Sequence, residues 1–362
     1  MKPKIVSIVG ARPQFIKLAA LGPVLSKSFH HTIVHTGQHF DDNMSGLFFR
    51  QLRIPRADRN LGIDGGSHGA MTGRMLVRIE KALLEEAPDF ALTYGDTNST
   101  LAGALAAAKL SIPVGHVEAG MRSFVPDMPE EINRKLTDHV SEILFCPTPT
   151  AVKNVRAEGI RKRVVLSGDI MYELLDHSRT RILTNDRILK EFKLKPKGFL
   201  LLTVHRAATV DSRTNCEALL DIIRDLPLPV LFPAHPRTRK RLRQFKLTSA
   251  LRKCRHLRMT APMGYVDTLA AAARARVVLT DSGGLQKESL FLGTPALILR
   301  DETEWVETLK QGNHLVGLDR KKIRRLMSTR LTVRRVHYRI RGRLPSAIII
   351  DELSRFLAVE HG

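Results

Sequence analysis

The sequence predicts an α/β protein of two domains, each with a doubly wound parallel β-sheet. Short apolar, β-rich runs alternate with helical segments from the first residues onward. The alternation restarts near residue 199, after a polar helical stretch. A length of 362 residues is enough for two domains of ordinary size, each with its own core.

The first half of the chain alternates strands and helices without a break. Strands are predicted over residues 5–9, 31–36, 89–94, 114–117, 143–146 and 164–166. Helices are predicted over residues 13–25, 44–52, 68–87, 99–110, 130–140 and 150–158. This order is typical of a parallel sheet, because parallel neighbours need a crossover connection.

The second half repeats the pattern after a polar helix predicted over residues 176–192. Strands are predicted over residues 199–204, 229–233, 275–279 and 296–299, and helices over residues 214–223, 266–273 and 285–292. We therefore expect one domain over residues 1–170 and a second over residues 171–345. Residues 346–362 contain an amphipathic helix, for which packing back on the first domain is one possibility.

The chain is strongly basic, with 58 Lys and Arg against 36 Asp and Glu and a formal net charge of +22. Such a charge attracts polyanions. However, no nucleic-acid-binding motif accompanies it, and only 4 Tyr and 1 Trp are present for base stacking. We interpret the cations as solvated faces and expect no specific nucleic-acid partner, while a non-catalytic nucleic-acid-binding protein stays an alternative.

Cysteine usage and hydropathy favour a cytoplasmic protein. Cys146, Cys216 and Cys254 are odd in number and far apart, which favours a reducing compartment and argues against a structural zinc site. No apolar run approaches twenty residues, so we expect no membrane span. The first apolar run is too short for a signal peptide.

One strand-to-helix turn indicates anion binding. It reads Thr280-Asp-Ser-Gly-Gly-Leu-Gln-Lys-Glu288 and follows an apolar strand. The Ser282 hydroxyl and free N–H groups at the helix start favour a phosphate, and Gly283 and Gly284 let it approach the backbone. Glu288, two turns on, is able to accept hydrogen bonds from a ribose diol. A nucleoside diphosphate sugar would supply all of these groups.

Polar residues also follow most of the other predicted strands. Because ligands of open parallel sheets bind at the carboxyl ends of strands, these residues are expected to line a shared cleft. They are Arg12, Lys17, Gln38, His39, Asp96, Glu118, His205, Arg206 and His235, with Glu130, Glu131 and Arg134 just downstream of Glu118.

Several segments together resemble one enzyme family. They are Gly10-Ala-Arg-Pro-Gln-Phe-Ile-Lys17, His35-Thr-Gly-Gln-His39, Tyr94-Gly-Asp-Thr-Asn-Ser-Thr100, His116-Val-Glu-Ala-Gly-Met-Arg122, Met128-Pro-Glu-Glu-Ile-Asn-Arg134, Thr203-Val-His-Arg206, Pro233-Ala-His-Pro236 and the anion-binding turn. Over nearly its whole length the chain resembles the non-hydrolysing UDP-N-acetylglucosamine 2-epimerases. The resemblance implies two Rossmann-like domains of the GT-B type facing a central cleft. It also implies a UDP-sugar substrate, no cofactor, no metal, a homodimer, and a cytosolic role in making surface-polysaccharide precursors.

The resemblance further implies a reaction and roles for residues. The family inverts C2 by eliminating UDP and adding it back, which needs acid–base groups on both faces of the sugar. The implied catalytic residues are Asp96, Glu118, Glu130 and His205. The implied substrate-binding residues are Arg12, Lys17, Arg134, His235, Ser282, Gly283, Gly284, Glu288, Arg300, Thr303 and Glu304. Which carboxylate serves which face stays open.

Two features keep the substrate open. The family usually has Glu-Asn where this chain has Ala208-Thr209, a change that bears on sugar choice or rate. The segment Met121-Arg-Ser-Phe124 resembles a branch that includes UDP-2,3-diacetamido-glucuronate 2-epimerases. UDP-N-acetylglucosamine is favoured, and the uronate is the closest alternative. A GT-B glycosyltransferase is more remote, because it need not carry Asp96, Glu118 and Glu130 together.

Overall fold

The computed structural model describes residues 2–38, 51–52, 54–334 and 340–360 of the chain. The chain divides into two compact units, Met1–Asp176 with Tyr338–Gly362 and His177–His337. The predicted helix over residues 44–52 lies outside the described residues except for its last two positions, and His39 also lies outside them.

The first unit contains a seven-stranded, wholly parallel sheet. Its strands lie in the order β3-β2-β1-β4-β5-β6-β7. They are β1 (Lys4–Val9), β2 (His30–His35), β3 (Arg59–Asn60), β4 (Phe90–Tyr94), β5 (Val114–Val117), β6 (Ile143–Cys146) and β7 (Arg163–Leu166). All residues of β4, β5 and β6 are buried, as expected for strands covered on both faces.

Helices connect these strands, and local sequence signals explain where several of them begin. They are α1 (Arg12–Ser28), α2 (His68–Glu86), α3 (Asn98–Lys109), α4 (Pro129–Val140), α5 (Pro149–Ala157) and α6 (Ile170–Thr184). The side chains of Ser67, Thr97 and Thr148 cap α2, α3 and α5 by accepting a backbone N–H bond. Proline stands in the first turn of α1, α4 and α5, where its missing N–H does no harm.

The second unit contains a six-stranded parallel sheet in the order β10-β9-β8-β11-β12-β13. Its strands are β8 (Leu200–Thr203), β9 (Val230–Pro233), β10 (Leu257–Thr260), β11 (Val277–Thr280), β12 (Ala296–Ile298) and β13 (His314–Leu315). Its helices are α7 (Arg187–Glu191), α8 (Ala207–Val210), α9 (Arg213–Asp225), α10 (Pro236–Gln244), α11 (Thr248–Arg252), α12 (Tyr265–Arg274), α13 (Gly283–Phe291) and α14 (Arg320–Met327), with a 3₁₀ helix over Val306–Gln311. Two parallel sheets confirm the predicted α/β class.

The two sheets share one topology. In each, the strand order reverses beside the unit's first strand, between β1 and β4 and between β8 and β11. Such a switch point leaves a crevice at the carboxyl ends of the two strands, where open α/β sheets bind ligands.

The prediction of one helix over residues 176–192 is wrong. Helix α6 begins at Ile170 and ends at Thr184, and α7 begins at Arg187. Asn185 separates them, because its Oδ1 accepts the N–H of Arg187 at 3.1 Å and its Nδ2 binds Asp267 at 2.8 Å. Helices α10 and α14 were not predicted, because their sequences are largely charged, and strand β10 was not predicted, because it has only four residues, one of them an arginine.

The last helix, α15 (Pro345–Glu360), belongs to the first unit and contacts α1. Its residues Ile349, Leu353 and Leu357 are buried at a spacing of four, which places them on one helix face. Glu173 accepts hydrogen bonds from the backbone and hydroxyl of Ser346 at 2.9 and 2.6 Å, near the helix start. No helix within the described ranges is long and apolar enough to cross a membrane.

Candidate active site

In the first unit, predicted site residues collect at the carboxyl ends of β1, β4 and β5. Arg12 and Lys17 lie on α1, directly after β1, and Asp96 follows β4. Glu118 follows β5, which neighbours β4 in the sheet. This arrangement places the set beside the switch point of the sheet.

The turn between β1 and α1 is held by Gln14, which is fully buried. Its Oε1 accepts the N–H groups of Gly10 and Ala11 at 2.7 and 2.9 Å. Its Nε2 donates to the carbonyl of Tyr94 and the hydroxyl of Thr100, both at 3.0 Å. The side chain therefore ties the turn after β1 to the turn after β4.

Lys17 and Glu118 form an ion pair with Nζ 3.1 Å from Oε1. Glu118 has a left-handed backbone, with φ of +74°. That conformation costs a residue other than glycine roughly 1–2 kcal/mol, and such strained residues cluster at active sites. Gly95 lies against the pair, because a Cβ there would be 3.4 Å from Nζ of Lys17.

Asp96 is paired with Arg134 of α4. The Arg134 Nη2 and Nε atoms lie 2.7 and 3.1 Å from Oδ2 of Asp96, and the Arg134 side chain is almost fully buried. Asn133 of the same helix donates to the Asp96 backbone carbonyl at 2.9 Å. Helix α4 thus fixes both the backbone and the side chain of Asp96.

The Glu131 carboxylate stabilises the neighbouring backbone through hydrogen bonds. It accepts bonds from the backbone N–H groups of Ser123 and Phe124 at 2.9 and 3.2 Å and from Arg134 at 2.7 Å. Burial alone would raise the pKa of Glu131, but the Ser123 hydrogen bonds and the charge of Arg134 lower it below its usual value.

Glu130 differs from its neighbour. It is half-buried in the first turn of α4, and it forms no hydrogen bond or ion pair with any residue that the structure describes. The positive end of the helix dipole favours a carboxylate at this position. Its side chain is therefore the carboxylate of this set that has no partner within the described chain.

In the second unit, Asp281 organises the switch point between β8 and β11. This fully buried carboxylate accepts the N–H groups of His205 and Arg206, each at 2.9 Å, and lies 3.2 Å from Nδ1 of His205. Burial alone would raise the pKa of Asp281, but the His205 charge and these hydrogen bonds lower it to about 2. Asp281 fixes the turn after β8 and orients the His205 ring.

The rings of His205 and His235 are neighbours, with centroids 5.4 Å apart. His235 caps α10, because its Nδ1 accepts the N–H of Arg237 at 3.2 Å. In neutral His235 the proton is therefore on Nε2, whereas His205 is 40% exposed at its side chain and faces Asp281 through Nδ1.

The turn that is predicted to bind an anion lies at the start of α13. Ser282 caps the helix, with Oγ accepting the N–H of Leu285 at 3.4 Å. A Cβ on Gly283 would lie 2.5 Å from Oε1 of Glu304, so only glycine fits without displacing that carboxylate. Gly284 and the buried Glu288 lie on the same helix.

The carboxylate of Glu304 lies between two arginines of the second unit. Its Oε2 lies 2.9 Å from Nη1 of Arg300 and its Oε1 lies 3.6 Å from Nη2 of Arg206. The Nε of Arg300 is buried and has no hydrogen-bond partner among the described residues. Thr303, which lies between Arg300 and Glu304 in the sequence, donates to Oε1 of Gln286 at 3.0 Å.

Three residues that hold these turns in place were not predicted from the sequence, namely Asp281, Gln14 and Asp138, whose Oδ2 accepts the N–H of Gly120 in the turn that carries Glu118. Asp281 directly follows a buried strand. The same criterion selected Asp96, so Asp281 could have been predicted from the sequence. Gln14 and Asp138 gave no such signal, because they lie inside helices where a polar residue is ordinarily solvated. No group of three or more His, Cys, Asp or Glu in the described part of the chain is arranged to hold a metal ion.

Comparison with known proteins gives a consistent result. The family model for UDP-N-acetylglucosamine 2-epimerase matches residues 25–342. A UDP-N-acetylglucosamine 2-epimerase homolog of Methanococcus maripaludis is 48% identical over 322 residues, which cover 88% of this chain and 90% of the relative. The UDP-2,3-diacetamido-2,3-dideoxy-D-glucuronate 2-epimerase of Pseudomonas aeruginosa is 45% identical over 330 residues, with the same coverage.

A solved structure is similar over almost the whole chain. It is the UDP-GlcNAc 2-epimerase of Methanocaldococcus jannaschii in complex with UDP-GlcNAc and UDP. The TM-score is 0.89 at 39% identity, covering 97% of this chain and 99% of that one.

Proposed function

Because this chain belongs to the UDP-N-acetylglucosamine 2-epimerase family, we propose that it interconverts UDP-N-acetylglucosamine and UDP-N-acetylmannosamine. The reaction inverts C2 without hydrolysing the substrate. Its product is suited to the synthesis of surface-polysaccharide precursors.

One observation carries the proposal: two carboxylates at the ends of neighbouring strands each have a cation of their own. Asp96 is paired with Arg134, and Glu118 with Lys17. A third carboxylate, Glu130, lies on the helix that binds Asp96 and has no partner among the described residues. Inversion at carbon needs proton transfer on both faces, and this set supplies more than one carboxylate for it.

We assign the proton transfer to the first unit. One carboxylate among Asp96, Glu118 and Glu130 removes the C2 proton while the C1–O bond to UDP breaks, leaving a 2-acetamidoglucal and UDP. A second then protonates C2 from the opposite face as a UDP oxygen bonds again to C1. The step balances because the first carboxylate keeps the proton taken from C2, the second delivers a proton of its own to C2, both groups then exchange with solvent, and UDP returns to C1.

We assign nucleotide binding to the second unit. His205, oriented by Asp281, assists the departing diphosphate. The proposed contacts are Arg12 and Lys17 with the diphosphate, Ser282, Gly283 and Gly284 with phosphate, Glu288 with ribose, Arg300, Thr303 and Glu304 with sugar or phosphate, and Arg134 and His235 with the remaining substrate surface. The Nε of Arg300 is buried and has no hydrogen-bond partner in the described part of the chain, which supports a role in anion binding.

Proton NMR of the enzyme with UDP-N-acetylglucosamine in deuterated water tests the proposal. The expected result is UDP-N-acetylmannosamine with deuterium at C2, because the transferred proton exchanges with solvent. Glu118→Gln is expected to abolish most of the conversion. Epimer without deuterium would exclude this proton route, and no conversion would exclude this substrate.

UDP-2,3-diacetamido-glucuronate is the second candidate substrate. It is favoured by the 45% identity to the Pseudomonas aeruginosa enzyme that is named for this sugar. Offering both sugar nucleotides at equal concentration in one competition experiment would decide between them, since the ratio of the initial rates then equals the ratio of kcat/KM values.

We further propose that the enzyme is a cytosolic homodimer, as the family resemblance implies. Light scattering coupled to size exclusion would measure the mass directly, with 40.6 kDa expected for each protomer. A mass of one protomer would contradict the dimer without affecting the assigned chemistry.

A further inference from the structure

Four ionisable side chains form a buried cluster in the first unit that the proposed chemistry does not use. His116, Arg122 and Asp138 have fully buried side chains, and Glu158 is 24% exposed. Burying charged groups is unfavourable unless they are well paired. The cluster therefore needs a physical explanation, and its contacts with the neighbouring turns supply one.

His116 binds the turn that carries Asp96. Its Nε2 lies 2.7 Å from the carbonyl oxygen of Gly95, the residue before Asp96. A carbonyl only accepts, so Nε2 donates. Nδ1 lies 2.6 Å from Oδ1 of Asp138, so the ring joins the Gly95 carbonyl to the Asp138 carboxylate.

Asp138 binds the turn that carries Glu118. Its Oδ2 accepts the backbone N–H of Gly120 at 3.1 Å and pairs with Nη2 of Arg122 at 2.7 Å. Burial alone would raise the pKa of Asp138, but the charges and hydrogen bonds of His116 and Arg122 lower it. The carboxylate is therefore ionised, and each of its oxygens is used.

Helix α4 is the support for both turns. Arg134 and Asp138 are four residues apart and lie on one face of the helix. Arg134 binds the Asp96 carboxylate, whereas Asp138 reaches the Gly95 carbonyl through His116 and the Gly120 N–H directly. One helix thereby fixes the turns of two proposed catalytic carboxylates.

We propose that His116 and Asp138 are positioning residues for the epimerisation, an inference that rests on the proposed function. They link the Gly95–Asp96 turn to the turn that carries Glu118, and so set the separation of the two carboxylates. Both side chains are buried and act through these turns. A misplacement of about 1 Å among reacting groups lowers rates by about 100-fold, so a firm link has a large effect.

The test compares Asp138→Asn and His116→Gln with the wild type on UDP-N-acetylglucosamine in deuterated water. At early times, sugar nucleotide with deuterium at C2 has either the starting or the inverted configuration. The ratio of these two products reports the alignment of the two faces and does not depend on how much enzyme is folded. We expect kcat to fall by about 10- to 100-fold with KM changed by less than about 3-fold, and the ratio to shift towards the starting configuration.

Glu158→Gln is the matched control. It removes the other carboxylate from Arg122 but touches neither His116 nor the Asp96 and Glu118 turns. This variant should keep the wild-type product ratio even where its melting temperature falls.

Two results would overturn the proposal. The first is a wild-type product ratio and kcat in both variants, with only the melting temperature lowered. The second is failure of both variants to fold while Glu158→Gln folds, which would assign the pair a structural role. Absence of any deuterated product from the wild type is distinguishable, because it contradicts the proposed reaction itself.

Discussion

The ammonium of Lys17 and the carboxylate of Glu118 lie 3.1 Å apart, with side chains only 3% and 14% exposed. Removing one member of a buried pair leaves an uncompensated charge, which typically destabilises a protein by about 3–5 kcal/mol. The exposure of Glu118 reduces that penalty. Lys17, which we propose binds the diphosphate, and Glu118, which we propose acts as an acid or base, therefore stabilise each other before any substrate binds.

Replacing Lys17 should lower activity severely. Lys17→Met removes the cation beside Glu118 and a proposed contact to the leaving UDP, so we expect kcat to fall by about 100- to 1,000-fold. Steady-state rates of epimerisation measure this. Lys27→Met, which changes an exposed lysine on the same helix, is the control and should leave kcat unchanged. A kcat within about 2-fold of wild type for Lys17→Met would contradict both roles.

Acid sensitivity should depend on Asp281. Its pKa falls from 3.8 to about 2 in the folded protein, so its contribution of about 2 kcal/mol is present above pH of about 4 and is lost as the pH falls towards 2. Urea unfolding at pH of about 5 and 2.5 should show the stability difference between wild type and Asp281→Asn shrinking at the lower pH. A difference that is constant with pH would contradict this account. Asp221→Asn, at an exposed ion pair, should not alter the pH dependence.

Glu288 should control nucleotide affinity, and Trp305 offers a way to measure it. Trp305 is the single tryptophan, and Nζ of Lys287 lies 3.5 Å from its ring centroid. Loss of a charged hydrogen bond to ribose in Glu288→Gln should weaken UDP binding by about 10- to 100-fold. Titration of Trp305 fluorescence with UDP would give both dissociation constants. Glu217→Gln, on the exposed side of α9, should bind UDP like the wild type.

Gly283→Ala should impair nucleotide binding more than folding. The new Cβ would lie 2.5 Å from Oε1 of Glu304, and the carboxylate would have to move away from its arginine partners. We expect UDP affinity to fall by about 10-fold or more, with a melting temperature within about 5 °C of wild type. Gly73→Ala is the control, because nothing lies within 4 Å of a Cβ at that exposed position of α2. Unchanged UDP binding by Gly283→Ala would contradict the role of this turn.

Much of the fold was predictable because the buried strands have clear apolar sequences. The residues after those strands were also predictable, since topology places strand ends at the binding edge. The division of this segment into helices α6 and α7 was not predictable, because the break between them depends on a hydrogen bond from Asn185 to the distant Asp267. A contact across 82 residues leaves no trace in local periodicity.

The positions of the candidate residues at strand ends were predictable, but the way in which these residues pair was not. Arg134 and Lys17 were expected to bind substrate, and the structure also pairs them with Asp96 and Glu118. Asp138 was missed because its importance comes from what it touches, namely His116 and the N–H of Gly120. Side-chain partners at this distance in sequence follow from tertiary packing alone.

At Glu118 the strain of a left-handed backbone opposes the stabilisation gained from the ion pair with Lys17. Glycine would relieve roughly 1–2 kcal/mol of conformational strain there, although it would also leave Lys17 without its carboxylate. Because the broken pair costs about 3–5 kcal/mol, which is more than the strain relieved, a library selected for heat resistance would keep glutamate at residue 118 unless Lys17 changed with it.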